Sequence, residues 1–315
     1  MKAFEQTLTA IATAALSCFV IATASPVASA ESAVPPEYAH LGPSPAGANE
    51  WDCQPDEDHP RPVVLLHGTG MNMADTWHTL SPQLANSGTC VFALNYGGAP
   101  ELLNPHIVQW GLTDIRGSAQ QLAQFVDTVL VRTRAHQVNI VGHSQGGVVA
   151  RQYMRFEGGT DPLDPANNKV HSLITLGASN NGTTFGELQQ RASQLGRRLD
   201  VSEKLIVRGQ LGPAAVQQLS GSGFLSELNA GGQTQPGVTY TSIASRTDGI
   251  ITPPESSFLQ PGPSATVDNV WLQDGCPGNT ADHNELPSDS RALYLVQSSL
   301  DPDRFPRSAA PCTAG

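Results

Sequence analysis

An open, doubly wound and mostly parallel sheet with helices on both faces is the α/β architecture that this sequence of 315 residues predicts. Three observations point to it. Short uninterrupted runs of β-branched residues and leucine recur along the chain, as strands buried on both faces require. Segments with apolar residues at three- and four-residue spacing separate them, as helices lying on such a sheet require. One of the runs passes straight into a glycine-flanked serine and then into a helical pattern, Val138-Asn139-Ile140-Val141-Gly142-His143-Ser144-Gln145-Gly146-Gly147.

Taken in order, residues 1–30 read as a signal peptide, with Lys2, an apolar run from Leu8 to Ala24, and the small-x-small site Val27-Ala28-Ser29-Ala30. Pro26 and the lack of a basic stop-transfer flank argue against a membrane anchor. Cys18 lacks the leucine three residues earlier that a lipid-attachment site carries, since Ala15 stands there. Residues 31–315 then form one exported, extracellular catalytic domain. Residues 31–62 are rich in proline, glycine and acids, and Asp56-Glu57-Asp58-His59 reads as part of a solvated loop. Strands follow at Pro62 to His67, Cys90 to Leu94, Val138 to Val141, Leu173 to Leu176, Val238 to Ala244 and Val267 to Leu272. Between them Ile115, Leu122, Phe125, Val126, Val129 and Leu130 outline a helix with Thr113 placed as its cap. Val148, Val149 and Tyr153 continue a helix from Ser144, and Ala292, Leu293, Leu295 and Val296 outline a last one behind Asp289. Residues 185–236 break the rhythm as a polar, helix-prone excursion, which reads either as a cap or lid beside a pocket or as plain surface helices.

The formal charge is −11, and cleavage after residue 30 removes Lys2 and Glu5 together and leaves it unchanged. An acidic chain with no basic run interleaved with aromatics is a poor nucleic-acid binder, and no membrane span is expected in the mature chain. A monomer is expected. Cleavage also discards Cys18 and leaves Cys53, Cys90, Cys276 and Cys312, an even number in an exported protein. Three connectivities are open, and proximity along the chain favours Cys53 with Cys90 and Cys276 with Cys312. A zinc site is the alternative, but there is no close Cys-x-x-Cys or Cys-His pairing.

The chemistry centres on Ser144. Gly142 and Gly146 stand two residues either side of it, where side chains would collide if the backbone turned sharply enough to present a hydroxyl above a sheet. A serine hydroxyl is a weak nucleophile until a base takes its proton, and a carboxylate holds that base in the useful tautomer. In a doubly wound hydrolase the order is serine, acid, histidine, each in a loop after a strand. Only His171 and His283 follow Ser144, and His171 opens a strand before any acid loop, so His283 is the expected base. Asp248 leaves the strand Val238 to Ala244 as a turn and is the expected acid, ahead of Asp268, Asp274 and Asp282. Attack on an ester carbonyl builds negative charge on oxygen, which prealigned N–H groups must meet. Gln145 follows the nucleophile and supplies one donor, and Thr69 in the turn His67-Gly68-Thr69-Gly70 supplies the other. His67 and His143 read as packing around the elbow.

On these segments, together with Thr247-Asp248-Gly249-Ile250-Ile251-Thr252-Pro253 and Asp282-His283, the chain resembles the secreted triacylglycerol lipases of the bacterial class 2 lipase family, and is similar to the fungal lipase B type. The likeness runs over roughly residues 52–300. It implies an α/β-hydrolase fold, no organic cofactor, Ser144, Asp248 and His283 as the triad, and Thr69 and Gln145 as the oxyanion hole, with the Thr69 hydroxyl as a further donor. No ligand set for structural calcium or zinc stands out. The expected activity is hydrolysis of acylglycerol esters through an acyl-enzyme. The alternatives are an acyltransferase or polyester hydrolase using the same triad, and a secreted binding protein that keeps the fold without catalysis.

Overall fold

The computed structural model describes residues 35–101, 104–186, 188–199 and 201–312, so the expected signal peptide lies outside the described residues. Six strands form one parallel sheet: β1 (Val63–Leu66), β2 (Val91–Leu94), β3 (Val138–His143), β4 (Val170–Leu176), β5 (Thr239–Ala244) and β6 (Thr266–Trp271), in the order β2-β1-β3-β4-β5-β6. Every residue of β1, β2 and β3 is buried. Because successive side chains of a strand point to opposite faces, both faces of the sheet centre are covered.

The helices are α1 (Met73–Trp77), α2 (Leu80–Asn86), α3 (Ile115–Thr133), α4 (Gln145–Phe156), α5 (Leu188–Leu199), α6 (Glu203–Gln218), α7 (Gly223–Asn229) and α8 (Ser290–Leu300). Right-handed crossovers put the β1-to-β2 connection on one face and the β2-to-β3 and β3-to-β4 connections on the other, because the chain reverses direction across the sheet after β2. The packing follows that rule. α3 lies against α4, which also rests on β1, β3 and β4, while Gln297 of α8 donates to Gln83 of α2 (3.2 Å). Phe125, Val126, Val148, Val149 and Tyr153 fill the space beneath α3 and α4 and are wholly buried.

Two expectations need correction. The helix starting at Ile115 is capped by Asp114, whose carboxylate accepts from the Arg116 N–H (2.8 Å), and Thr113 lies one residue too early for its hydroxyl to reach the first turn. β6 is an edge strand with Thr266 and Asn269 exposed, whereas its apolar pattern read as a strand buried on both faces. As the last strand of the sheet it has a neighbour on one side only, so most of its side chains stay partly accessible to solvent.

Disulfides join Cys53 to Cys90 and Cys276 to Cys312. Beside the second, the buried Arg291 guanidinium donates to the carbonyls of Leu272, Asp274, Ala310 and Pro311, and so folds the C-terminal segment against the end of β6. Among the described residues no helix is long and apolar enough to cross a membrane.

The 185–236 excursion holds α5, α6 and α7 and has a small apolar cluster of its own around Ala192, Val207, Ala215 and Leu219. Inside α6 the backbone breaks at Gly212 (φ 77°), followed by Pro213. A side chain at Gly212 would stand 2.4 Å from the Leu112 carbonyl, so the break and its glycine serve a close approach to the loop before α3.

Candidate active site

The sheet order reverses between β1 and β3, and in such sheets the carboxyl ends of the two strands flank a crevice. Ser144 follows β3 at that point, with a left-handed backbone (φ 54°) and its N–H on the Leu176 carbonyl (2.9 Å). The turn is tight enough that a Cβ on Gly142 would meet the Gly147 nitrogen at 2.6 Å, and one on Gly146 would meet the Leu66 carbonyl oxygen at 2.4 Å. Both glycines are therefore steric requirements of the bend, which folds α4 back over β3 and against β1. The elbow also places the amino end of α4, with its partial positive charge, beside the serine oxygen.

Asp248, in the turn after β5, and His283, in the loop between β6 and α8, meet Ser144 there. The His283 Nε2 lies 3.0 Å from Ser144 Oγ, and its Nδ1 lies 2.8 Å from Asp248 Oδ2. All three are buried, with Ser144 and His283 each 4% exposed. The other Asp248 oxygen, Oδ1, accepts from the Ile250 and Ile251 N–H groups (2.8 Å each), which orients the carboxylate. The Ser245 and Thr247 hydroxyls both reach the Ala281 carbonyl and so tie the aspartate turn to the histidine loop. The three other acids weighed from the sequence are engaged elsewhere. Asp268 pairs with Arg307, Asp274 pairs with Arg246 (3.1 Å), and Asp282 accepts from the Asn284 N–H (2.8 Å) within its own loop.

Two further histidines support the site. His67 lies flat on Tyr96 (4.3 Å between ring centroids) and donates from Nδ1 to the Gly68 carbonyl (2.8 Å), which shapes the turn that carries Thr69. His143 donates from Nε2 to the main-chain carbonyl of His283 (2.9 Å), so it steadies the loop as well as packing under the elbow. Its Nδ1 is buried and has no partner among the described residues. Nothing local in the sequence marks that link, which joins residues 140 apart.

Burial lowers the His67 pKa from 6.5 to about 4 and drives that of His143 well below its ordinary value, the nearby His283 adding to the shift. Both rings are neutral in the folded protein at neutral pH. Unfolded, they bind protons below about pH 6.5, so the unfolded chain gains protons first and stability falls as pH drops from there toward 4. For His67 that is about 3 kcal/mol across the window. Urea unfolding across this range should show the loss, and His67→Asn should flatten the slope. A variant curve as steep as that of the parent protein rejects the account.

The Thr69 turn follows β1. An antiparallel hairpin, Ala99–Pro100 with Val108–Gln109, leads to Trp110 and Gly111, whose carbonyls receive the Gly70 N–H (3.0 Å) and the Gln145 side-chain amide (2.9 Å). The Thr69 hydroxyl oxygen accepts from Gln145 Nε2 (3.0 Å) and from Gln218 Nε2 (2.9 Å). Among the described residues no protein acceptor takes the main-chain N–H of Thr69 or of Gln145. Gln218, at the end of α6, is a member of this cluster that the sequence did not single out. His171, the second residue of β4, remains apart from it, and burial together with the Arg61 charge lowers its pKa. A separate cleft of about 270 Å³ opens at the amino ends of β1 and β3, lined among others by His59, Arg61, Asn139 and Asp301, and holds no serine or cysteine paired with a base.

The chain matches the family described as lipase (class 2) over residues 60–273. Triacylglycerol lipases of Pseudarthrobacter phenanthrenivorans and Burkholderia plantarii are each 29% identical over 134 residues, which is 41% of this chain and 36% and 32% of theirs. The chain therefore spans about a third of the length of these curated relatives. Aspergillus fumigatus lipase B superposes with a TM-score of 0.61 at 20% identity, over 85% of this chain and 59% of that one. Mature Bacillus licheniformis lipase BlEst2 superposes with a TM-score of 0.52 at 16% identity, over 79% and 94%. The likeness to both is one of fold, the α/β-hydrolase fold. Since the family match runs from before β1 to beyond β6 and takes in the serine elbow and the Asp248 turn, this chain belongs to the class 2 lipase family.

Proposed function

We propose that this chain is an exported carboxylic ester hydrolase that cleaves acylglycerols through an acyl-enzyme on Ser144. The observation that carries the reading is the single imidazole of His283 in contact with both the Ser144 hydroxyl and the Asp248 carboxylate. In the forward half-reaction Nε2 of His283 takes the serine proton as Oγ attacks the ester carbonyl. The Asp248 carboxylate holds the opposite edge of the ring and stabilises the imidazolium that forms. The Thr69 and Gln145 N–H groups meet the oxyanion. His283 then gives its proton to the departing alkoxide, leaving the acyl group on Oγ, and the same steps with water as nucleophile release the fatty acid. No cofactor is needed for this chemistry. Acylglycerol as the substrate class rests on family membership and on the activity named for the two curated relatives. Export is supported by the leader-like first 30 residues and by the two disulfides.

A fluorophosphonate probe should incorporate one equivalent on the peptide holding Ser144 and stop ester turnover in proportion. Absence of label at Ser144 rejects the reading. Parallel assays on emulsified triglyceride and on p-nitrophenyl esters of rising chain length separate the substrate classes, and activity confined to short soluble esters rejects the lipase assignment.

A further inference from the structure

Gln218 lies 149 residues from Thr69 along the chain, is wholly buried, and brings its side chain to the Thr69 hydroxyl. Its Nε2 also donates to the Ala214 carbonyl (3.3 Å), and its Oε1 accepts from the Ser179 hydroxyl (2.9 Å). The amide cannot be turned over, because a main-chain carbonyl only accepts. Gln145 obeys the same logic. Its Nε2 is divided between Thr69 Oγ1 and the Gly111 carbonyl, so the nitrogen must face both.

Two N–H donors on one hydroxyl oxygen occupy both of its lone pairs. What remains to Thr69 is its own O–H proton, and among the described residues no protein group accepts it. Burial alone does not explain the arrangement, since Thr69 is only partly buried and one partner or solvent would satisfy it. We infer that Gln218 is a positioning residue for ester cleavage, which acts together with the Gln145 side chain to lock the Thr69 hydroxyl as a donor toward the oxyanion. The inference rests on the assignment of Ser144 and Thr69 above. A hydroxyl left to itself alternates between donating and accepting and must reorient as charge develops. One that already accepts two N–H bonds is polarised and aimed beforehand, which removes that reorganisation from the reaction step.

The support for Gln218 is itself fixed. Its main-chain carbonyl accepts from the Thr183 N–H (3.0 Å), and the Ala214 N–H donates to Leu112 (3.2 Å). Gln217 bonds the Ile115 N–H (2.8 Å) and Asp114 (3.0 Å) at the start of α3. The short stretch after the break at Gly212 is thus bound to the body of the protein, and it is this stretch that carries the amide.

The test is a double-mutant cycle on a soluble p-nitrophenyl ester, with rates expressed per site titrated by fluorophosphonate. Thr69→Val removes the hydroxyl and should lower kcat about a hundredfold, and Gln218→Met should lower it about tenfold, with KM moving less than about twofold in either. In the Thr69→Val background Gln218→Met should cost nothing more, because the hydroxyl it serves is gone. An equal loss in that background, or a loss confined to KM, overturns the inference. Gln218→Glu gives an independent readout if the methionine variant does not fold. A carboxylate only accepts and would draw the Thr69 proton inward, whereas the protonated acid still donates, so kcat relative to the parent protein should decline as pH rises. A pH-independent ratio overturns the inference. Failure of the underlying assignment is seen earlier and separately, as a parent protein that takes no label at Ser144.

Discussion

On the proposed mechanism, Asp248→Asn should lower kcat about ten-thousandfold while the protein remains folded and KM changes little. The size of the effect follows from the two main-chain donors on the aspartate. The Ile250 and Ile251 N–H groups both end on Oδ1, and each needs an acceptor. In the asparagine variant the amide oxygen must stay with them, which turns the NH2 toward His283 Nδ1. The ring is then compelled to accept at Nδ1 and to carry its proton on Nε2, the nitrogen that faces Ser144. A protonated Nε2 has no lone pair with which to take the serine proton, so the base is disabled by its tautomer although all the atoms are in place. Asp248→Ala supplies no such compulsion, and it should lose less activity than the asparagine variant. Steady-state kinetics on a soluble ester, with circular dichroism as the control for folding, settles the matter. An asparagine variant more active than the alanine variant contradicts the tautomer argument.

Gly146→Ala should destabilise the protein by about 4 kcal/mol or more, enough to remove it from the soluble fraction on expression. The added methyl would meet the Leu66 carbonyl oxygen at 2.4 Å and the His67 carbonyl oxygen at 2.9 Å. These are main-chain atoms at the end of a fully buried strand, so they cannot swing aside as the tip of a flexible side chain does. Relief requires moving α4 off β1, which opens the core beneath Val148 and Val149. Gly117→Ala is the matched comparison. Gly117 lies exposed in the first turn of α3, has no heavy atom within 4 Å of a built Cβ, and should gain about 0.5–1 kcal/mol from the better helix former. Urea midpoints for the pair should move in opposite directions, and a Gly146→Ala protein as stable as its parent contradicts the steric account of the elbow.

What the sequence makes legible follows from how local each signal is. The elbow is written in consecutive residues, because the strand, both glycines and the serine lie within ten positions, and its geometry follows from them. Asp248 and His283 can be nominated because each lies in a loop after a strand-like run, and the structure puts His283 in contact with both Ser144 and Asp248. The cap of α3 is missed by one residue, since Thr113 and Asp114 are both good capping types and only the true start of the helix chooses between them. β6 shows the same limit. Val267 and Val270 suit a strand, but which flank is open depends on where the sheet ends. Gln218 carries no local mark, because a glutamine near the end of a polar helix looks like any solvated side chain until tertiary packing brings it to Thr69. The contact of His143 with the His283 carbonyl is hidden for the same reason.

The interruption of α6 also separates two mechanical duties. A continuous helix passes a push along its ladder of hydrogen bonds, but proline has no amide hydrogen to continue the ladder, and a left-handed glycine ahead of it redirects the chain. No unbroken hydrogen-bond ladder therefore links α5 and the leading part of α6 to the stretch after Gly212–Pro213. The trailing turn, which carries Gln218, is anchored instead on the body of the protein, through Leu112, Ile115 and Thr183.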